Sequence, residues 1–346
     1  MEAINPMLAK AVGAVPAVDS VEGGLVYEPK WDGFRGIVSV DADGVVEIGS
    51  RGTKTLTRYF PELVGEFEAQ LPGSCVLDGE IVVRTGDPGD ERLDWEALSA
   101  RIHPAASRIL RLSAETPASF VAFDLLMLDG TDLQGRPFAE RRAALETLGA
   151  SFTAPLHLSQ TTDDEQLAKQ WLEEFEGAGL DGVVAKPLAA VYEQGKRRML
   201  KVKHHRTADV VLLGYRVHAS GSGVGSLLLG LHDANGELQN VGGASAFTDR
   251  RRQELVDELE PRVVRDADGE AVRGATERSR FTGAKDVSFV QLDGTLVAEV
   301  RYDQMEGARF RHTVQFERWR PDREAASCTF EQLEIPTAYD LSRVLA

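Results

Sequence analysis

The sequence predicts an α+β protein in two parts, a mixed region of strands and helices over residues 1–206 and a small β-barrel over residues 207–346. Two observations predict this division. Before about residue 206, strand-like and helical segments follow one another without the regular alternation of a doubly wound sheet. Beyond it, extended apolar segments dominate and a single amphipathic helix interrupts them. A chain of 346 residues is long enough for two domains, each with its own core.

The first region contains several runs of apolar and β-branched residues that predict strands. They lie at 25–28, 34–40, 45–49, 75–83, 120–128 and 180–187. The tetrapeptide "DADG" at 41–44 predicts a hairpin turn between the second and third runs. Helical periodicity is clearest at 93–100, 139–148 and 164–178, and Asp94 is a candidate N-cap for the first of these helices.

The second region contains successive strand candidates, which read "ADVVLLGYRVH", "GSLLLGLHDANGELQNVGGAS", "DVSFVQL", "TLVAEVRYDQME" and "RFRHTVQFERWR". The helix "TDRRRQELVDELEPRVV" interrupts them. Five or so strands with one helix predict a partly open barrel such as the OB-fold, which binds nucleic acid on its face. The stretch "GSGVGS" at 221–226 is similar to a nucleotide-binding fingerprint, but a strand follows it instead of a phosphate-binding helix. We therefore expect a surface hairpin loop there.

Composition restricts the class of protein. Apolar residues make up 42% and charged residues 27% of the chain, which is typical of a soluble globular protein. No apolar run is long enough to span a bilayer, and the N-terminus does not resemble a secretory signal. Cys75 and Cys328 belong to no metal-binding spacing, so we expect reduced structural thiols and a cytoplasmic protein. We also expect a monomer. The net charge of −16 argues against nonspecific coating of nucleic acid but does not exclude a local basic path.

Charged residues interrupt several apolar strands of the first region. In "YEPKWDGFRG" at 27–36, Glu28, Lys30, Asp32 and Arg35 occupy one short stretch. Because burial of an unpaired charge is costly, such strands predict one shared polar cavity. Similar interruptions occur in "DGE" (78–80), "FDLL" (123–126), "DGVVAK" (181–186) and "LKVK" (200–203). Cationic side chains there suit phosphates, carboxylates suit ribose hydroxyls or a metal ion, and an aromatic ring suits a base.

These motifs resemble those of the lysine nucleotidyltransferases, which comprise ATP-dependent DNA ligases, RNA ligases and mRNA capping enzymes. "KWDGFR" (30–35) is similar to the signature K-x-D-G-x-R. "SRGTKTLTRYFPEL" (50–63), "DGE", "FDLL", "DGVVAK" and "LKVK" follow in the family's order, and "FERWRPDR" (316–323) resembles the last motif, R-x-D-K. Together with "PMLA" (6–9), the residues of these motifs resemble those of small bacterial ATP-dependent DNA ligases of the end-joining and repair type, especially the minimal ligase C type.

The resemblance implies a nucleotidyltransferase (ATP-grasp-like) adenylation domain over 1–206 and an OB-fold domain over 207–346. It implies that the protein seals 5′-phosphate/3′-hydroxyl nicks in duplex DNA through a lysyl-AMP and a DNA-adenylate, in DNA repair or recombination. ATP and Mg²⁺ or Mn²⁺ would be required. Nicked DNA would be the main partner, and end-joining or gap-filling proteins such as Ku or a primase-polymerase are further candidates.

Carried over by position, the resemblance makes Lys30 the nucleophile that becomes adenylated. A lysine attacks only as a neutral amine, a form that cationic neighbours and partial desolvation favour. An ordinary exposed strand lysine is the alternative. The residues implied to contact the nucleotide are Glu28, Arg35, Arg51, Glu80, Phe123, Lys201, Lys203, Arg320, Asp322 and Arg323. Glu28 and Phe123 would face adenine, Glu80 would bind ribose, and a structural role is preferred for Asp124.

Two positions depart from the family pattern. Asp181 replaces the more usual glutamate, which serves the divalent metal, and its shorter side chain favours contact through water. Asp181 and Glu80 are the implied metal ligands. Arg323 replaces the usual lysine, which retains the charge but changes the geometry of a phosphate contact.

The segment "GKRRMLKVKHHR" (195–206) contains basic residues and no acid, which favours a nucleic-acid groove at the junction of the two predicted domains. A solvated basic strand is the alternative. An RNA ligase or a capping guanylyltransferase would share most of these residues. A nucleic-acid-binding module with an inactive pocket is the non-enzymatic alternative, and the intact Lys30, Glu80, Lys201 and Lys203 argue against it.

Overall fold

The computed structural model describes residues 4–52, 55–103, 105–204, 206–276, 287–333 and 336–345. The chain divides into two compact units. Unit 1 comprises Met1–Lys203 together with Pro336–Ala346, and unit 2 comprises His204–Ile335. Both units mix strands and helices, so the predicted α+β class is confirmed.

Unit 1 is built on two sheets. Its strands are β1 (Leu8–Ala11), β2 (Leu25–Pro29), β3 (Phe34–Val40), β4 (Val46–Gly49), β5 (Cys75–Thr85), β6 (Arg92–Leu93), β7 (Ala118–Leu128), β8 (Thr131–Asp132), β9 (Leu156–Leu158), β10 (Val183–Pro187) and β11 (Arg197–Val202). Its helices are α1 (Pro61–Gln70), α2 (Trp95–Ala100), α3 (Ala106–Glu115), α4 (Phe138–Gly149) and α5 (Glu165–Glu174), with 3₁₀ turns at Thr57–Tyr59, Phe175–Ala178 and Leu341–Arg343.

The strand order brings the sequence motifs together. One four-stranded sheet has the order β1-β11-β10-β2, and a seven-stranded sheet contains β4-β3-β5-β7-β8, with β6 and β9 attached to β5 and β7. The long strands β5 and β7 are nearly continuous apolar runs because both of their faces are buried. In the register of β3 and β5, Arg35 lies opposite Glu80. Motifs that are distant in sequence therefore lie on neighbouring strands.

The three predicted helices form, the first of them with its expected cap. Asp94 accepts a hydrogen bond from the Ala97 N–H and begins α2, as predicted, and Asp164 caps α5. The predicted helix over 164–178 changes to a 3₁₀ turn at Phe175–Ala178. Helices α1 and α3 were not predicted, and both begin without a side-chain cap.

Unit 2 has more strands than predicted. They are β12 (Arg206–Val217), β13 (Val224–His232), β14 (Leu238–Ala244), β15 (Arg273–Ala275), β16 (Ser288–Gln291), β17 (Val297–Tyr302), β18 (Met305–Glu306), β19 (Arg309–Phe310) and β20 (Gln315–Trp319). The sheet contains β14-β13-β12-β16-β15, while β17 joins β12 to β20, and β18 pairs with β19. Helix α6 (Asp249–Leu259) buries Leu255 and Leu259, and 3₁₀ turns lie at Glu260–Arg262, Ala325–Ser327 and Phe330–Gln332.

The glycine-rich stretch of unit 2 is the connection between β12 and β13, two antiparallel strands. Gly221 and Gly223 have φ angles of +85° and +76°, which favour glycine. The predicted surface hairpin is confirmed. The two cysteines, Cys75 and Cys328, are both buried free thiols.

The end of the chain packs in unit 1, although the sequence assigned it to the second domain. Leu341 and Val344 are buried in an apolar cluster with Trp31 and Phe175. The Leu341 N–H also donates to the Glu91 carbonyl at 2.8 Å. These buried contacts explain why the final segment returns to unit 1.

Candidate active site

Unit 1 contains a cavity of about 260 Å³ between its motif-bearing segments. The chain around Met7 forms one wall, together with strands β10 and β11. Most of the predicted nucleotide-contacting residues of unit 1 line the cavity, namely Glu28, Lys30, Arg35, Arg51, Glu80, Phe123 and Lys201. The fold therefore converts separate sequence motifs into one polar chamber. Residues 53 and 54 of the motif that contains Arg51 lie outside the described residues.

Lys30 follows the last residue of β2 and has its backbone fixed on both sides. Its N–H donates to the Gly182 carbonyl at 2.8 Å, and its carbonyl accepts from the Asp181 N–H at 2.9 Å. The side chain is 19% exposed, and its Nζ lies 2.5 Å from Asp181 Oδ2. A lysine on an exposed strand face would have neither the backbone clamp nor the buried carboxylate partner.

The turn after Lys30 passes very close to β5. A Cβ atom at Gly33 would lie 2.1 Å from the Ile81 carbonyl oxygen, so only glycine fits. The Gly33 N–H donates to Glu80 Oε1 at 3.2 Å. Burial raises the pKa of Glu80 to about 7, even though Arg35 and Lys30 favour the charged form. Glu80 therefore titrates near neutral pH.

Two lysines contact the Asp181 carboxylate, and a third, Lys201, lies near them. Lys203 Nζ lies 2.7 Å from the same Asp181 oxygen that contacts Lys30. Burial lowers the pKa of Lys201, and the positive charges of Lys30 and Lys203 lower it further. The arrangement concentrates positive charge at one side of the cavity, which is suited to an anionic substrate group.

Arg35 belongs to a buried network. Its Nη2 lies 2.6 Å from Asp78 Oδ2, its Nε also contacts Asp78, and its guanidinium carbon is 4.6 Å from the Phe123 ring centroid. The Tyr192 hydroxyl donates to the same Asp78 oxygen at 2.6 Å and accepts from the Met7 N–H at 3.0 Å. The network joins the N-terminal wall of the cavity to the sheet.

A second buried network lies beside Phe123. Lys186 Nζ is 2.8 Å from Glu28 Oε2 and donates to the Phe123 carbonyl at 2.9 Å. Its ammonium also lies 4.7 Å from the centroids of Phe123 and Phe138. Burial raises the pKa of Glu28 and lowers the pKa of Lys186, because desolvation outweighs their mutual attraction. The Glu28 carboxylate is thus the ion-pair partner that fixes the position of the buried Lys186 ammonium.

Sequence reasoning assigned no role to Asp78, Lys186 or Tyr192. Asp78 and Lys186 could have been recognised from the sequence, because each is a charged residue within an apolar strand. No sequence pattern marked Tyr192. Asp124 accepts from Nε and Nη2 of the Arg141 guanidinium, at 2.8 and 2.9 Å, and both residues are buried. This pairing supports the structural role preferred for Asp124.

The predicted residues of the last motif lie in unit 2. Arg320 Nη1 is 2.9 Å from Asp209 Oδ1, and Arg320 Nη2 is 2.7 Å from Asp322 Oδ2. Arg323 Nε lies 3.1 Å from Asp209 Oδ2. The motif therefore forms one ion-pair cluster around Asp209, a residue that the sequence did not single out.

The described residues of the basic segment 195–206 differ in their surroundings. Arg197 lines the cavity, beside Lys201. Arg198 Nη2 donates to Glu193 Oε1 at 2.9 Å and remains more than half exposed. Arg197 is exposed and also borders the cavity, and its place on a DNA path stays a prediction.

The predicted metal ligands are hard carboxylate donors, but Asp181 is occupied by two ammonium groups. Among the residues that the structure describes, no group of three or more His, Cys, Asp or Glu side chains could hold a metal ion. Such a site does not suit a metal held by protein alone. It suits Mg²⁺, which binds through one or two carboxylates and substrate phosphates.

Within the described ranges, no helix is long and apolar enough to cross a membrane.

Comparisons with known proteins agree with both units. A model of the ATP dependent DNA ligase domain matches residues 6–203, and a model of the ATP dependent DNA ligase C terminal region matches residues 220–323. DNA ligase C2 of Mycolicibacterium smegmatis is 52% identical over 346 residues, covering 96% of this chain and 95% of that protein. DNA ligase C of Mycobacterium tuberculosis is 51% identical over 360 residues, covering 100% and 98%.

A solved structure of a Lig E DNA ligase has a TM-score of 0.58 and 17% identity, covering 91% of this chain and 99% of that one. At that identity the likeness concerns the fold, and the predicted adenylation and OB folds are confirmed. The family models and the relatives that match nearly the full length show that the chain belongs to the ATP-dependent DNA ligases, within the minimal bacterial ligase C type.

Proposed function

We propose that this ligase seals nicks in duplex DNA in three steps, with Lys30 as the nucleophile. The Lys30 amine attacks the α-phosphate of ATP, so that a P–N bond forms and the P–O bond to pyrophosphate breaks. The 5′-phosphate of the nick then attacks the AMP phosphorus, and the P–N bond breaks to return the lysine. Finally, the 3′-hydroxyl attacks the activated 5′-phosphate, a phosphodiester forms and AMP leaves.

The placement of Lys30 carries this proposal. Backbone hydrogen bonds to Asp181 and Gly182 hold it at the cavity wall, so the amine is pre-positioned for attack. The Asp181 carboxylate pairs with the Lys30 ammonium. Before attack, the ammonium would release a proton to solvent, and the neutral amine would turn to the phosphate. Lys201 and Lys203 would neutralise the phosphate oxygens, since positioning and charge neutralisation dominate phosphoryl transfer.

A nick-sealing assay tests the proposal directly. A labelled nicked duplex should be sealed with ATP and Mg²⁺, but not with GTP or NAD. Sealing that works only on RNA strands would favour an RNA ligase. A guanylate adduct formed from GTP would favour a capping-type activity. Either result would overturn the assignment.

Asp181 and Glu80 are the residues that would hold Mg²⁺ or Mn²⁺ with the ATP phosphates. Both lie next to Lys30, and carboxylate oxygens are preferred by these ions. The ion would supply charge neutralisation of the phosphates. Asp181 must exchange an ammonium contact for the ion, directly or through water.

Adenine should stack on Phe123, an aromatic residue that lines the cavity and whose ring lies 4.7 Å from Lys186 Nζ. Base–aromatic stacking is worth about 1–3 kcal/mol, so Phe123→Leu should weaken ATP binding roughly 5- to 150-fold. Phe138→Leu is the matched control, because Phe138 also packs under Lys186 but does not line the cavity. Isothermal titration with a non-hydrolysable ATP analogue measures both. Equal weakening in the two variants would remove the stacking assignment.

DNA affinity should depend on exposed cations of the segment 195–206. Lys196→Ala with Arg198→Ala should flatten the slope of log affinity against log salt, by about 0.9 for each phosphate that the variant no longer neutralises. Lys30 adenylation should persist, because both residues lie outside the cavity wall. Lys169→Ala, an exposed cation paired with Glu165 on α5, is the control. An unchanged slope in the double variant would place the DNA path elsewhere.

Arg320, Asp322 and Arg323 would orient the pyrophosphate of ATP during self-adenylation, after a hinge movement of the second unit. The family likeness and the clustering of these residues around Asp209 support this role. Deleting 320–323 should block self-adenylation but allow sealing of a pre-adenylated nick, since pyrophosphate takes no part in the last step.

We further assign the enzyme to DNA repair at the nucleoid, with Ku-type or primase-polymerase partners. This role rests on the resemblance of its motifs.

A further inference from the structure

Asp209 is the centre of the charged cluster in unit 2. Its carboxylate lies 2.9 and 3.1 Å from Arg320 Nη1 and 3.1 Å from Arg323 Nε. Its side chain is 13% exposed. Two arginines of the last motif therefore share one largely buried carboxylate.

The backbone of Asp209 is held rigidly. The residue lies on β12 and pairs with Glu299 on β17. Its N–H donates to Gln332 Oε1 at 2.7 Å, and its carbonyl accepts from Gln332 Nε2 at 3.0 Å. A carboxylate with a fixed backbone can set the position of mobile arginine side chains.

The two arginines differ in how fully they are engaged. Arg320 donates through Nε and Nη2 to Asp322 and through Nη1 to Asp209, so all three nitrogens have carboxylate partners. Hydrogen bonding to Asp322 is the main cause that raises the pKa of Arg320. Arg323 meets Asp209 through Nε, and its side chain is 36% exposed. Within the part of the chain that the structure describes, Arg323 makes this ion pair without a hydrogen bond from Nε or from its terminal nitrogens.

We infer that Asp209 is a positioning residue for self-adenylation, whose charge attracts the Arg323 guanidinium on its Nε side and leaves the terminal nitrogens of Arg323 to bind phosphate. Arg320 is the fixed support between Asp209 and Asp322. The inference rests on the proposed function of the last motif. It separates two arginines to which the motif alone gives the same role.

A double-mutant cycle tests this inference. Asp209→Asn keeps the size of the side chain but removes the charge that holds Arg323. Because small displacements of positioning groups can cost on the order of 100-fold, we expect self-adenylation to slow by roughly 10- to 100-fold. Sealing of a pre-adenylated nick should be retained. In an Arg323→Ala background, Asp209→Asn should cause little further loss, because the residue through which it acts is absent.

Glu299→Gln is the matched control. Glu299 is a further carboxylate near Arg320, at 3.9 Å, and it is engaged by Arg318. Its substitution should leave the adenylation rate unchanged. Thermal melting should show that Arg320→Ala destabilises unit 2 more than Arg323→Ala does.

Three results would overturn the inference. They are an unaltered adenylation rate in Asp209→Asn, an equal loss of both steps, or an undiminished effect of Asp209→Asn without Arg323. A wild-type enzyme that forms no lysyl-AMP would instead contradict the proposed function, so the two failures are distinguishable.

Discussion

The Lys30→Ala enzyme should form no AMP adduct and should not seal nicks with ATP. The only nucleophile that the proposal places at the clamped position beside Asp181 is then missing, and the remaining side chain cannot form a P–N bond. Intact-mass spectrometry after incubation with ATP and Mg²⁺ measures the adduct. The wild-type protein should gain the mass of AMP, and the variant should remain at its unmodified mass.

Lys10→Ala is a suitable control, because Lys10 is an exposed lysine on β1 of the same unit. It should acquire AMP as the wild type does. An adduct that survives in Lys30→Ala, or one that disappears in Lys10→Ala, would contradict the assignment of Lys30 as the nucleophile.

Leu341→Ala should destabilise unit 1, although residue 341 follows the whole of unit 2 in the sequence. Leu341 is fully buried in the cluster that contains Trp31 and Phe175. Truncation of a buried leucine costs about 2–5 kcal/mol, through the transfer free energy of the removed atoms and the cavity left behind. Urea unfolding, followed by tryptophan fluorescence, measures the change in the free energy of unfolding.

The control is Leu110→Ala, because Leu110 on α3 is 63% exposed. Its free energy of unfolding should change by no more than about 0.5 kcal/mol, as is usual at the surface. Gly177→Ala provides an independent test, since its Cβ would lie 1.8 Å from the Thr337 carbonyl oxygen and displace the final segment. A loss of stability in Leu341→Ala no larger than that in Leu110→Ala would mean that the segment does not contribute to unit 1.

Local sequence patterns predicted the strands and helices whose formation depends on nearby residues. Apolar runs marked the strands β2, β5, β7 and β10, and the Asp94 cap marked the start of α2. Helix α1 begins at Pro61 without a capping side chain, so its start gave a weaker signal. Its burial of Leu63 and Phe67 shows that packing against the sheet, and not its own end signals, stabilises it.

The sequence predicted which residues belong to the candidate site, but not which of their side chains contact each other. The motifs supplied Lys30 and Glu80, but no local pattern states that Lys186 meets Glu28 or that Tyr192 meets Asp78. Such contacts depend on which strands become neighbours in the sheets. Likewise, charge alone did not indicate that Arg197 borders the cavity, which follows from the position of β11.

The return of the chain to unit 1 has a mechanical consequence. The strand β1 near the start and the turn Leu341–Arg343 near the end are both anchored in unit 1, so a pulling force applied between the two ends would load unit 1 first. Unit 2 lies between these anchors along the chain and would carry no tension until one of them detached. In an optical-tweezers record, unit 2 should therefore unfold only after unit 1 has released an end, whatever the relative stabilities of the two units.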